Sequence, residues 1–244
     1  MLGLLCRVLV ILLLGISIEA FAAVTASAWA AKYPSDLREE QLAPIAGLVE
    51  EAIRDGEIPG AVVLIGTRDR IIYRKAFGNR ALIPDRVPMT LDTIFDLASL
   101  TKVVATTTAV LQLAEKGLLR LEDPVAKYWP EFKANGKKSI TVRDLLTHCS
   151  GLRAGLGLRA GWRGYEGALK KVIAEKPVCR RGTCLIYSDI NFIVLGELVR
   201  RISGQTLDVY CDEHIFKPLG MKDTAFNPLP ELQERIAPTE YLRR

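Results

Sequence analysis

Apolar residues recur at helical spacing between residues 36 and 56, where Gly56 supplies a stop signal. Two runs rich in β-branched residues follow, in the stretch PGAVVLIGTRDRIIYRKAFG. They are separated by the charged residues Arg68, Asp69 and Arg70, a pattern typical of a β-hairpin. The chain therefore begins its globular part with a helix and an antiparallel pair of strands.

The rest of the chain favours helices. Residues 95–117, FDLASLTKVVATTTAVLQLAEKG, form a helix-like run that ends at Gly117. Thr141 and Asp144 match a capping box, which predicts a short helix start, and the glycine-rich residues 151–167 predict a loop. Residues 189–203 are amphipathic and stop at Gly204, and DVYCDEHIFKPLGM predicts one more helix, closed by Pro218.

The predicted sheet is small for the number of helices. An isolated two-stranded sheet is marginal in water, so this hairpin requires further strands or a helical cover. No run after residue 205 has the pattern of a strand. We expect either that residues outside this sequence complete the sheet or that the hairpin packs only on helices.

The first 30 residues have the pattern of an export signal. Arg7 ends a short basic start, residues 8–18 are apolar, and AFA and ASAWA offer small-x-small cleavage sites. A membrane anchor is the alternative, but this run is shorter than the roughly 20 residues of a spanning helix. We expect residues 1–30 to be a signal peptide, residues 31–244 to form the functional domain, and the location to be periplasmic or secreted with no stable membrane anchor.

Charge and cysteine content exclude some classes of function. The net charge is only +5 and no Lys/Arg block concentrates it, which disfavours nucleic acid as a partner. Cys6 would leave with the signal, and a disulfide between Cys179 and Cys184 is possible, although we slightly favour free thiols. His148 and His214 have no metal-ligand spacing to the cysteines. His148 and Cys149, placed on a helix, would point about 100° apart, which argues against a Cys-His dyad.

Lys102 is the only charged residue between Asp96 and Glu115, and Ser99 lies three positions before it. On a helix this spacing puts both side chains on one face. Burial of an ammonium lowers its pKa, so Lys102 is a candidate general base for Ser99. Free N–H groups of the first helical turn would stabilise an oxyanion. A lysine that snorkels to solvent beside a helix-capping serine would give the same local pattern.

Tyr187, in the stretch YSDIN, is predicted to lie in a turn just before a helix capped by Ser188 or Asp189. A phenol beside an ammonium is favoured in its ionised form and could relay a proton to or from Ser99. A tyrosine packed with its hydroxyl satisfied is the structural alternative.

Four ordered motifs carry a resemblance to a known family: SLTK at 99–102, LLTHCSGL at 145–152, YSDIN at 187–191 and IFKPLGMKDTAF at 215–226. Together they resemble the serine β-lactamase and penicillin-binding-protein superfamily, in its class C-like branch with esterases and D-aminopeptidases. The resemblance implies an α+β fold of the β-lactamase/transpeptidase type, and no metal or cofactor.

The resemblance also implies a site and a reaction. Ser99 is then the acylated nucleophile, Lys102 its proton partner and Tyr187 the tyrosine of the Tyr-x-Asn motif. Asp189 stands at the substrate-binding position where Asn is usual, and a carboxylate there can pair with Lys102 but cannot donate an amide hydrogen bond. The substrate would be a small ester, amide or β-lactam.

The family's third motif, Lys-Thr-Gly or His-x-Gly on a strand, is absent after Tyr187. Together with the small sheet, this leads us to expect the amino-terminal part of a longer serine hydrolase, with the carboxy-terminal part of the domain missing. The alternative hypothesis is a catalytically inactive binding or regulatory relic of the same fold.

Overall fold

The computed structural model describes residues 39–67, 69–157 and 161–239. These residues form two compact units: one comprises the described residues up to Thr93 together with residues 237–239, and the other comprises the described residues of Ile94–Ile236. The predicted signal peptide lies outside the described residues, and the assignment of 31–244 to one domain stays a prediction. None of the described helices has the length and apolar character to cross a membrane.

The first unit contains the predicted helix and hairpin. A 3₁₀ turn at Glu39–Leu42 leads into helix α1 (Ala43–Arg54), and strands β1 (Gly60–Gly66) and β2 (Ile71–Ala81) pair antiparallel. A third strand that the sequence analysis missed, β3 (Val87–Pro88), pairs with the end of β2. It is only two residues long and contains a proline, so it has almost no strand pattern to detect.

Helix α1 covers this three-stranded sheet. Buried Leu42, Tyr73 and Phe77 form the centre of a small apolar cluster, and Ile45 and Val49 of α1 are among the residues that pack against it. The hairpin therefore has a helical cover and also a third strand. The expectation that it packs only on helices is wrong, because β3, which lies within this sequence, pairs with β2.

The second unit is helical. Its α-helices are α2 (Thr108–Glu115), α3 (Val142–Leu146), α4 (Gly164–Ala174), α5 (Asp189–Ser203) and α6 (Leu207–Cys211). The π-helical segment Lys102–Thr107 leads into α2, and a second one, Asp212–Phe216, follows α6. Three 3₁₀ turns complete it: Val125–Lys127, Pro130–Gly136 and Pro230–Arg235.

Local signals explain most of these boundaries. Thr141 and Asp144 form the predicted capping box of α3, and Ser188 caps α5 by accepting the N–H of Asn191. Gly204 ends α5 in the left-handed region, with φ of 76°. One prediction is wrong in part: α4 begins at Gly164, inside the stretch predicted as a loop.

Helix α5 runs through the core of this unit. Val194, Leu195 and Leu198 are fully buried and belong to one apolar cluster with Val110 and Leu113 of α2. Burial of a large apolar side chain stabilises the fold by about 1.5–3 kcal/mol relative to exposure. Helices α2 and α5 thus share one core.

A segment of residues 178–186, which we call the cystine loop, precedes α5. It contains a disulfide between Cys179 and Cys184, so our preference for free thiols there is wrong. Backbone N–H groups of Val178, Gly182 and Ile186 donate to carbonyls of residues 148–151 at 2.8–3.0 Å. The loop therefore lies along the residues that follow α3.

Candidate active site

Ser99 lies in the turn that leads into the π-helical segment, and its side chain is exposed. The residue before it, Ala98, has a φ of 42° and donates its N–H to Oδ1 of Asp96 at 2.8 Å. A residue with a Cβ is disfavoured in this region by about 1–2 kcal/mol, and such strained positions often lie at functional sites.

Lys102 contacts Ser99 as its spacing predicts. Its Nζ donates to Oγ of Ser99 at 3.1 Å, and only 14% of its side chain is exposed. Two aromatic rings flank the ammonium, those of Tyr187 and Phe192, with centroids 4.9 and 5.7 Å from Nζ. The snorkelling alternative is therefore wrong, because the lysine points into a partly covered aromatic site.

Asp189 reaches the same lysine from α5. Its Oδ1 lies 2.6 Å from Nζ of Lys102, which confirms that a carboxylate at this position pairs with the lysine. Asp189 is the first residue of α5, where the helix dipole favours negative charge. Its side chain is 63% exposed, so water screens part of the attraction.

The protonation state of Lys102 differs from the prediction. Burial lowers the pKa of Lys102, as expected, but hydrogen bonds with Asp189 and Tyr187 raise it by more. The pKa therefore lies above its ordinary value of 10.5, and the resting lysine is an ammonium that donates to Ser99. The prediction considered the effect of burial on the pKa and underestimated the opposite effect of the ion pair with Asp189.

The prediction that free N–H groups of the first helical turn stabilise an oxyanion also needs correction. The N–H groups of Leu100, Thr101 and Lys102 donate to the carbonyls three residues earlier, at 2.8–3.1 Å. These groups of the first turn are therefore occupied. In the described part of the chain the N–H of Ser99 itself has no acceptor, so it is the group available to a substrate oxygen.

His148 belongs to this site, although the sequence analysis set it aside. It follows the end of α3 with a φ of 58°, and its ring lies against those of Tyr187 and Phe192, at 4.4 and 5.3 Å between centroids. Its Nδ1 accepts the N–H of Ser188 at 2.9 Å. Placing His148 and Cys149 on the preceding helix was wrong, because α3 ends at Leu146.

Burial, followed by the positive charge of Lys102, lowers the pKa of His148. The ring is therefore neutral at neutral pH, which agrees with Nδ1 acting as an acceptor. The ammonium of Lys102 thus contacts the side chains of Ser99, Tyr187 and Asp189. The ring of His148 packs against that of Tyr187.

A serine next to a lysine and a tyrosine, on a helical unit accompanied by a small antiparallel sheet, defines the β-lactamase/transpeptidase-like class of α+β serine hydrolase folds. The family model described as beta-lactamase matches residues 45–244. The chain belongs to the beta-lactamase family.

Three similar proteins illustrate the range of this family. The "Putative D-alanyl-D-alanine carboxypeptidase" of Escherichia coli (strain K12) is 33% identical over 248 residues, covering 89% of this chain and 57% of that protein. The "N-acetylmuramyl-L-alanine amidase" of Bacillus subtilis (strain 168) is 34% identical over 222 residues, covering 83% and 49%. The structure of "EstCE1, a hydrolase with promiscuous acyltransferase activity" has a TM-score of 0.71 at 28% identity, covering 79% and 54%. The chain thus spans about half the length of these relatives.

Proposed function

We propose that this protein is an exported serine hydrolase that acts through an acyl-enzyme on Ser99. The observation that carries the proposal is the 3.1 Å contact between Nζ of Lys102 and Oγ of Ser99, at a site that also gathers Tyr187 and Asp189. No metal or cofactor is needed for this chemistry.

In the proposed reaction Oγ of Ser99 attacks a substrate carbonyl while Lys102, in its neutral form, takes the hydroxyl proton. The negative charge that develops on the carbonyl oxygen is stabilised by the N–H of Ser99. Lys102 or Tyr187 then delivers the proton to the leaving group, and water hydrolyses the acyl-enzyme.

The substrate is an ester, amide or β-lactam. The names of the two curated relatives describe amide cleavage, and EstCE1 is described as an acyl-transferring hydrolase. Acyl transfer to a serine is the step common to these activities, so a reactive ester is a suitable first substrate for this chain.

Hydrolysis of a nitrophenyl ester tests the proposal. Replacing Ser99 with Ala is expected to reduce kcat/KM at least a thousandfold, because it removes the proposed nucleophile and no other serine or threonine hydroxyl hydrogen-bonds to Lys102 among the described residues. Ser139→Ala is the matched control, since Ser139 is also exposed but lies in the turn before α3. Turnover by Ser99→Ala equal to that of the wild type contradicts the proposal.

A further inference from the structure

Asp189 is held in place by the start of α5. Its N–H donates to the carbonyl of Ala154 at 2.7 Å. The neighbouring Ser188 donates its hydroxyl to the carbonyl of Arg153 at 2.6 Å and also caps the helix. Two hydrogen bonds therefore fix the backbone that leads into Asp189, and its Oδ1 lies 2.6 Å from Nζ of Lys102.

Several titratable groups face Lys102. Ser99 contacts it from its own segment, Tyr187 from the position after the cystine loop, and Asp189 from α5. His148, which follows α3, packs against the ring of Tyr187. In the described part of the chain, Asp189 is the one carboxylate paired with this lysine. Asp189 supplies the negative charge that balances the ammonium of Lys102. His148 is neutral, so it adds no second positive charge.

We propose that Asp189 sets the pH at which Ser99 becomes a nucleophile, by holding Lys102 as an ammonium that must release a proton before it can accept one. The inference rests on the proposed function and deepens it. Asp189 then acts on the reaction through Lys102, in addition to any contact with substrate.

The proton inventory follows directly. At neutral pH the ammonium donates to Oγ of Ser99 and cannot take its proton. Loss of one proton from Lys102 to solvent gives the amine, which accepts the hydroxyl proton as the bond from Oγ to the carbonyl carbon forms and the carbonyl π electrons move to oxygen. That proton then passes to the leaving group, so no oxidant or second reactant is required.

The solvent exposure of Asp189 limits how strongly its charge affects Lys102. An opposite charge within about 4–6 Å shifts a pKa by about 1–3 units, and a carboxylate that is 63% exposed belongs at the lower end. Replacing Asp189 with Asn removes the charge and keeps the shape. We therefore expect the pH profile of Ser99 labelling to move by about one unit in this variant.

The experiment measures the rate at which a fluorophosphonate labels Ser99, followed by intact mass, between pH 6 and 10. For the wild type the rate is expected to rise throughout this range, because the lysine is predominantly an ammonium over all of it. The Asp189→Asn profile should move about one unit towards acid, so labelling at pH 8 should be about tenfold faster than in the wild type. Reagent hydrolysis at each pH is measured without protein and subtracted.

Two variants control for charge and folding. Asp189→Glu retains a carboxylate and should keep the alkaline profile. Asp212→Asn removes another aspartate that pairs with a lysine at 2.6 Å, that of Lys217, and should leave the profile unchanged. A profile for Asp189→Asn that coincides with the wild type, or moves towards alkali, overturns the inference while leaving Ser99 as the nucleophile. Absence of label on wild-type Ser99 at every pH overturns the proposed function as well.

Discussion

His148 lies within the LLTHCSGL motif, yet the sequence analysis assigned it no role at the site. Its side chain contacts residues about 40 positions away, Tyr187 by ring contact and Ser188 by a hydrogen bond of 2.9 Å. The position in the sequence indicates neither contact, since both arise from the way the cystine loop packs on the residues after α3. By contrast, the Ser99 and Lys102 pair could be predicted because the contact spans only three positions.

Because the pKa of His148 is lowered in the folded protein, acid should cost stability. The unfolded chain binds the proton more readily, so stability is present above the ordinary pKa of 6.5 and is lost as pH falls from there through the folded pKa. His148→Asn keeps an acceptor for the N–H of Ser188 but does not titrate. Urea unfolding between pH 7.5 and 5 should show a smaller loss for this variant than for the wild type.

His214→Asn controls for removal of any histidine, since His214 contacts Tyr210 and Gln205 instead of the site. It should retain the wild-type loss. Equal pH dependence of wild type and His148→Asn over this range contradicts the assignment of a neutral, partly buried imidazole.

The cystine loop is the element that positions Tyr187. Besides the disulfide, Arg181 pairs with Asp144 of α3 at 2.6 Å, and the loop's backbone pairs with residues 148–151. The sequence indicated the capping box at Asp144, which is a local pattern. It did not indicate that the same carboxylate also binds Arg181, since this contact is set by the docking of the loop.

Close packing of this loop can be tested at Gly151. It has a φ of 80°, and a Cβ there would lie 2.1 Å from the carbonyl oxygen of Cys179. Gly151→Ala therefore combines a left-handed penalty of about 1–2 kcal/mol with a backbone clash, and we expect a loss of more than about 3 kcal/mol in the free energy of unfolding.

Gly157→Ala is the matched control for that substitution. Gly157 has a φ of 72° but nothing within 4 Å of the added Cβ, so it should lose only about 1–2 kcal/mol. Urea unfolding of both variants measures the difference. Equal losses would show that the cystine loop does not lie against residue 151.

For the whole molecule, the sequence predicted the elements with strong local patterns: the first helix, the hairpin and α5. It missed β3 and the start of α4, whose signals are short, and it considered the disulfide possible but slightly favoured free thiols. It predicted which residues form the candidate site better than it predicted their protonation, because the net pKa shift of Lys102 reflects burial against two hydrogen-bond partners.

The central claim is that Ser99 forms a covalent acyl intermediate, and trapping that intermediate tests it most directly. The protein is mixed with an activated ester, quenched in acid within the first turnover and mapped by peptide mass spectrometry. The account predicts an acyl group on Ser99 in the wild type and none on that peptide in Ser99→Ala. An acyl group on another residue, such as Cys149, with Ser99 unmodified would contradict it.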